Sequence, residues 1–115
     1  MPEAVSEAIR RDLAILSRRT RARVIQWTPE RPTQWQPQTV RDPSTGDFFT
    51  REGAWLFVAD LLEKGHPIEI VTLDKPAGKQ GFVMHVALGT DLPRLYIKVE
   101  LGCGTIYGRS FHYDE

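Results

Sequence analysis

Five side chains near the C-terminal end of the sequence are of types that handle phosphate and protons: Tyr96, Lys98, Glu100, Arg109 and His112. Lys98 and Arg109 suit an anionic backbone, and an arginine can grip it through two parallel hydrogen bonds. Tyr96 or Tyr107 offers a ring on which a nucleobase can stack, since every base has a π-face. The chemistry that fits such a set is RNA cleavage without a metal, in which a 2′-hydroxyl attacks the adjacent phosphate. It requires a base at the 2′-hydroxyl, cations on the developing phosphorane charge and an acid at the leaving oxygen. Glu100, His85 or His112 are candidates for base or acid, and Lys98 and Arg109 for charge stabilisation. The same cluster has a purely structural alternative, because cross-strand charge pairs and aromatics stabilise an exposed sheet by roughly 0.2–1 kcal/mol per pair.

These residues must be positioned by a hairpin. Residues 94–101 alternate, with Leu95, Ile97, Val99 and Leu101 inward and Arg94, Tyr96, Lys98 and Glu100 outward. Gly102-Cys103-Gly104 turns the chain and residues 105–113 return. A two-residue turn at Gly102-Cys103 sets Val99 opposite Ile106 and Tyr96 opposite Arg109. A turn at Cys103-Gly104 sets Leu101 opposite Ile106 and Lys98 opposite Arg109. Both registers put Tyr96, Lys98, Glu100, Tyr107, Arg109, Phe111 and Tyr113 on one face and Ile106, Gly108, Ser110 and His112 on the core side. Gly108 is a candidate bulge position, which re-aims whatever follows it, so that His112 can reach either face.

Upstream, residues 67–73 and 82–88 read as two further strands. In the second of them Phe82, Met84, Val86 and Leu88 share one face and Val83, His85 and Ala87 the other. Residues 51–64 form a helix with Thr50 as N-cap and Gly65 as its stop, apolar over much more than one stripe. A first helix is expected over residues 2–25: Pro2 suits its first turn, Glu3 and Glu7 sit early, and Val5, Ile9, Leu13 and Leu16 make one stripe. Its late cluster Arg18, Arg19, Arg21 and Arg23 places four cations in six residues with no intervening acid. They are either a solvated helix end that complements the dipole or a surface facing RNA or a partner. Between the helices, residues 28–49 are interrupted by Pro29, Pro32, Pro37 and Pro43 and are expected to be irregular. Trp27 and Trp35 are expected to tie that segment down by packing, with base stacking the alternative. The fold class is therefore α+β, with two helices from the N-terminal half packed on a four-stranded antiparallel meander over residues 67–113.

Composition narrows the function classes. A length of 115 residues suits a single domain. A formal net charge of zero argues against a domain held to nucleic acid by bulk electrostatics alone. No apolar run approaches the roughly 20 residues that cross a bilayer, and no apolar leader-like stretch opens the sequence. A lone cysteine, Cys103, has no internal disulfide partner, so the expected compartment is the cytoplasm. His66, His85 and His112 lie too far apart for a local metal motif, and no GxSxG, P-loop or GxGxxG is present. No cofactor is expected, and Cys103 reads as a turn residue rather than a nucleophile.

The stretch Leu95-Tyr96-Ile97-Lys98-Val99, a short turn and Ile106-Tyr107-Gly108-Arg109-Ser110-Phe111-His112 resembles the C-terminal hairpin of MqsR-type toxins. More loosely it resembles the RelE-like group of bacterial mRNA-cleaving toxins. The resemblance covers about 20 of the 115 residues. It implies a metal-independent endoribonuclease acting on RNA and inhibited by a protein antitoxin, with N-terminal helices packed on an antiparallel sheet. By motif position it implies roles for Tyr96 and Lys98, and by adjacency for Arg109 and His112. The chain departs from the family in being neutral rather than basic and in its Pro/Trp-rich segment 28–49. The ending Gly-Arg-Ser-Phe-His-Tyr also resembles the tails of small bacterial proteins with no activity to transfer.

Overall fold

In a computed structural model that describes residues 5–114, two helices pack on one face of a six-stranded mixed sheet. Ser6 caps α1 (Glu7–Ser17) by accepting a hydrogen bond from the Ile9 amide at 3.2 Å. Thr50 does the same for α2 (Arg51–Glu63), accepting from Gly53 at 2.9 Å. Leu13 and Leu16 of α1 and Trp55, Val58 and Leu62 of α2 meet Phe82, Met84, Ile97, Val99 and Phe111 of the sheet in one buried core. None of the described helices is long and apolar enough to cross a membrane.

The expected first helix of residues 2–25 is much shorter. Its proposed start at Pro2 and Glu3 lies outside the described residues, and its end is at Ser17. A 3-10 turn, Thr20–Ala22, follows and leads into β1 (Arg23–Val24). The chain leaves the helix because the last strand offers an open edge, whose backbone groups hydrogen-bond more residues than a frayed helix end could.

The expected four-stranded meander is present as β3 (Glu69–Thr72), β4 (Gln80–Val86), β5 (Arg94–Leu101) and β6 (Ile106–Asp114), each antiparallel to the next. It is not the whole sheet. Along the outer edge of β6 lie β1 and, further on, β2 (Gln34–Trp35), both parallel to it, pairing Val24 with Tyr107 and Trp35 with Phe111. The segment 28–49 is accordingly not irregular throughout: it contributes β2 and a 3-10 turn, Pro37–Thr39. The prolines do not forbid this, because an edge segment of two residues needs few amide donors.

Trp35 anchors that segment. Its ring stacks on Trp55 with centroids 4.6 Å apart and lies 5.2 Å from Phe111. Gly108 is what admits it, since a Cβ at position 108 would come within 2.7 Å of Trp35 Cε3. Trp27, expected to pack in the same way, does not: it is 59% exposed, against 9% for Trp35 and 1% for Trp55. The loop of residues 25–33 carries it out beyond the sheet edge. That loop is compact, with Arg31 N–H donating to the Thr28 hydroxyl at 2.9 Å and Thr33 Oγ1 donating to the Ile25 carbonyl at 3.2 Å.

Candidate functional site

The last hairpin turns at Cys103-Gly104, with Gly104 in the left-handed region at φ +70° and the Gly102 amide bonded to the Thr105 carbonyl at 2.8 Å. Leu101 pairs with Ile106, the second of the two registers considered. Past Gly108 the register shifts. Val99 faces Gly108, Lys98 faces Ser110, and Arg109 is the extra residue of a β-bulge. Everything beyond it changes face. Phe111, expected on the polar side, is fully buried in the core, and Tyr113 packs against the same core with its hydroxyl accepting from the Arg41 amide at 3.0 Å. Ser110 and His112, expected on the core side, join the polar face: Ser110 opposite Lys98 and His112 opposite Tyr96.

That face is not a solvated sheet surface. The loop of residues 25–33 and the connection after β3 arch over it, and Glu100 and Arg109 are 3% and 4% exposed. Arg109 spends its guanidinium on structure. It donates to Glu100 Oε1 at 2.8 Å, to the Pro32 carbonyl at 3.1 Å and to the Lys75 carbonyl at 2.6 Å. It thus ties both overhanging walls to the sheet. Glu100 is also gripped by Arg31, with nitrogen–oxygen distances of 3.3 Å. The Glu100 hydrogen bond raises the Arg31 pKa above its ordinary value, and the Arg31 guanidinium stacks 4.2 Å above the Tyr107 ring. Glu100 is buried and accepts from both guanidiniums, and Arg109 is equally buried, so in this structure both serve the packing of the loops on the sheet. Tyr107, covered by Arg31, does not present a free ring face there.

Between the two walls runs a cleft of about 550 Å³. One wall is Trp27, Pro32, Thr33 and Gln34; the other is the chain from Val71 to Lys75; Lys98, Arg109 and Ser110 form the floor. Lys98 is half-buried, and burial followed by the neighbouring Arg109 lowers its pKa, with Asp74 pulling the other way. Its ammonium is an available cation in a partly desolvated place.

Beside the floor, a row of rings crosses the sheet. His85 on β4, Tyr96 on β5 and His112 on β6 are register neighbours, with Tyr96 and His112 stacked at 5.4 Å and 26° and His85 edge-on to Tyr96 at 5.4 Å. Burial, together with Glu69 and Asp114, raises the Tyr96 pKa, so its phenol holds its proton more firmly than a free tyrosine does. His112 Nδ1 lies 2.8 Å from the Tyr113 carbonyl. A carbonyl only accepts, so Nδ1 is the donor of this bond, and Nε2 is the nitrogen that carries the lone pair whenever the ring is neutral. His85 lies 3.5 Å from Asp114 and 3.9 Å from Glu69, and its buried Nδ1 makes no hydrogen bond among the described residues. Tyr96 and His112 do not line the cleft, but Lys98 follows Tyr96 by one pleat, roughly 7 Å along the strand.

The arginine cluster is scattered rather than brought together. Arg18 binds Asp60 at 2.8 Å and Glu63 at 2.7 Å, which raises its pKa and lowers that of Glu63. Arg23 is buried against Trp55 and bonds Glu52 and the Ser17 carbonyl. Arg19 and Arg21 are exposed. Arg18 and Arg23 therefore join helix to helix and do not form an RNA-facing patch.

Sequence reasoning missed Arg31, Gln34 and the wall around Asp74 and Lys75, all carried by segments without periodicity. The bulge considered at Gly108 is found beside it, at Arg109, and the apolar residues of the last strand carry a second signal for it: Ile106, then Phe111 and Tyr113, a change from even to odd positions that an uninterrupted strand cannot satisfy. Among the described residues no group of three or more His, Cys, Asp or Glu side chains is arranged to hold a metal ion. No protein-family model, curated protein or solved structure matches this chain.

Proposed function

We propose that the protein is a toxin-like endoribonuclease that cleaves single-stranded RNA without a metal and is held in check by a protein antitoxin. The observation that carries this reading is Lys98: a half-buried ammonium on the floor of a polar cleft, one pleat from the stacked Tyr96 and His112. The reading gives each of these side chains a role. His112 Nε2 takes the proton of a 2′-hydroxyl, whose oxygen then attacks the adjacent phosphorus. Lys98 lies against the phosphorane oxygens as their charge develops. The Tyr96 phenol gives its proton to the 5′-oxygen as the phosphorus–oxygen bond breaks. The products are a 2′,3′-cyclic phosphate and a 5′-hydroxyl end. Arg109 and Glu100 hold the walls and touch no reacting atom.

The test is incubation of the purified protein with single-stranded RNA in EDTA, with the ends of the products identified. Cleavage leaving those two ends, lost in Lys98→Met and His112→Asn, is expected. Intact RNA, with no growth arrest on expression, removes the reading. A second reading, a non-catalytic protein-interaction module, draws on the exposed apolar side chains Ile15, Phe48 and Leu56. It requires a stable complex with a protein partner, and a pull-down that recovers this chain alone counts against it.

A further inference from the structure

We infer that the cleft between the loop of residues 25–33 and the connection after β3 is a subsite for one nucleotide, with its base stacked on Trp27 and its phosphate on Lys98. The inference rests on the cleft named above as part of a ribonuclease, but it concerns binding and selectivity rather than cleavage.

Three features define the occupant. The first is charge. Arg109 lines the cleft, but it is buried and three of its five N–H donors go to Glu100, Pro32 and Lys75, so the more open cation is the half-buried Lys98. An ammonium in a partly desolvated setting favours a compact anion such as a phosphate over water. The second feature is Trp27. Of the three tryptophans it alone is exposed, and it is one of the residues that line the cleft. A broad aromatic face beside a cation accepts a planar group that carries an anion, which is the chemistry of a nucleotide. The third is size and shape. About 550 Å³ lies within the range of pockets that bury one small ligand, a volume that suits a single nucleotide and is too small to take in a base-paired duplex. The substrate class is therefore single-stranded. Gln34, exposed on the wall beside Trp27, presents an amide able both to donate to and to accept from a base edge, so it is the residue of this wall that discriminates among bases.

The probe is a 2′-O-methyl oligouridylate, which lacks the free 2′-hydroxyl and so binds without being cleaved. Tryptophan emission reads the event, because Trp35 and Trp55 are buried against one another and Trp27 is the indole a ligand can reach. Binding is expected to quench the wild-type emission. Trp27→Ala, at an exposed position that does not threaten folding, should abolish the quench and weaken binding measured by anisotropy of a labelled oligonucleotide roughly 5- to 150-fold, the range spanned by loss of one stacked base. Tripolyphosphate, an anion without a base, should bind wild type and Trp27→Ala alike. Lys98→Met should lower the salt dependence of oligonucleotide binding by about one contact. Equal oligonucleotide affinity in wild type and Trp27→Ala overturns the inference and leaves the ribonuclease reading standing. Absence of oligonucleotide binding overturns it as well. Binding with the expected Trp27 dependence, but with unmodified RNA left intact, keeps the nucleotide subsite and removes the ribonuclease.

Discussion

Replacing Arg109 by methionine should destabilise the protein by about 4 kcal/mol, near the middle of the 3–5 kcal/mol range for stripping one partner from a buried ion pair. The two side chains of the pair are 5% and 4% exposed and meet at 2.8 Å. Methionine fills much of the space left by the aliphatic part of the arginine, so the loss is electrostatic rather than a cavity. It has two parts. Glu100 keeps only Arg31, at 3.3 Å and 32% exposed, which softens the loss without removing it. The Pro32 and Lys75 carbonyls lose their donor, adding about 1 kcal/mol each where water does not replace it. Urea denaturation followed by tryptophan fluorescence measures the change, because the Trp35–Trp55 stack is part of the folded core. The companion variant Arg109→Met/Glu100→Leu removes both charges, and buried pairs replaced by apolar groups often cost little. It should recover about 2 kcal/mol or more of the loss. A single variant that costs under about 1 kcal/mol, or a double variant as unstable as the sum of its singles, refutes the assignment of Arg109 as a buried strut.

Lys98→Met should raise the urea midpoint while abolishing RNA cleavage, because the folded state disfavours this half-buried ammonium through burial and Arg109; a fall in stability with activity retained contradicts both roles. Gly108→Ala should cost about 1–3 kcal/mol by pushing a methyl group into Trp35, read by the same denaturation and by a changed near-ultraviolet circular dichroism; an unchanged midpoint contradicts the close approach. Glu63 has a folded pKa lowered by Arg18 below 4.5, so its contribution to stability is present above that value and is lost as pH falls through the lowered one. Arg18→Met should therefore flatten the acid limb of a stability–pH curve, and an unaltered limb contradicts the pairing.

The parts of the fold that local pattern governs were legible in the sequence. Helix α2 was expected over residues 51–64 and runs Arg51–Glu63, since Thr50 and Gly65 punctuate it. Strand β5 runs Arg94–Leu101, the span its alternation implied. The turn at Cys103-Gly104 was one of two registers that glycine chemistry allowed. What escaped depends on residues distant in sequence. Arg23–Val24 and Gln34–Trp35 lack the length to announce a strand, and they are strands only because β6 supplies a complete partner. The arginines after Ser17 look like a helix end until Asp60 and Glu63 are seen to bind Arg18. The polar cluster was placed correctly as far as Tyr96, Lys98 and Glu100. On the second strand Tyr107 and Arg109 share the side of Glu100 as expected, but from Ser110 onward the faces are exchanged, because one extra residue reverses a period of two.

That one residue links fold and site. Without the bulge, Arg109 would face Lys98 in the register the turn selects, Ser110 and His112 would point into the core, and Phe111 would be stranded on the polar side. The bulge sends Phe111 inward to meet Trp35 and Phe49, which anchors β2 and so closes the base of the loop that carries Trp27. It also turns His112 outward to stack on Tyr96, and leaves Arg109 unpaired in the ladder and free to reach both walls. Bulges beside binding sites commonly re-aim a side chain. Here one insertion re-aims three, and each change is stabilised by a different contact: aromatic packing for Phe111, ring stacking for His112 and a buried ion pair for Arg109. Gly108 stands opposite Val99 immediately before the slip, and its missing side chain leaves the room that Trp35 occupies against the strand.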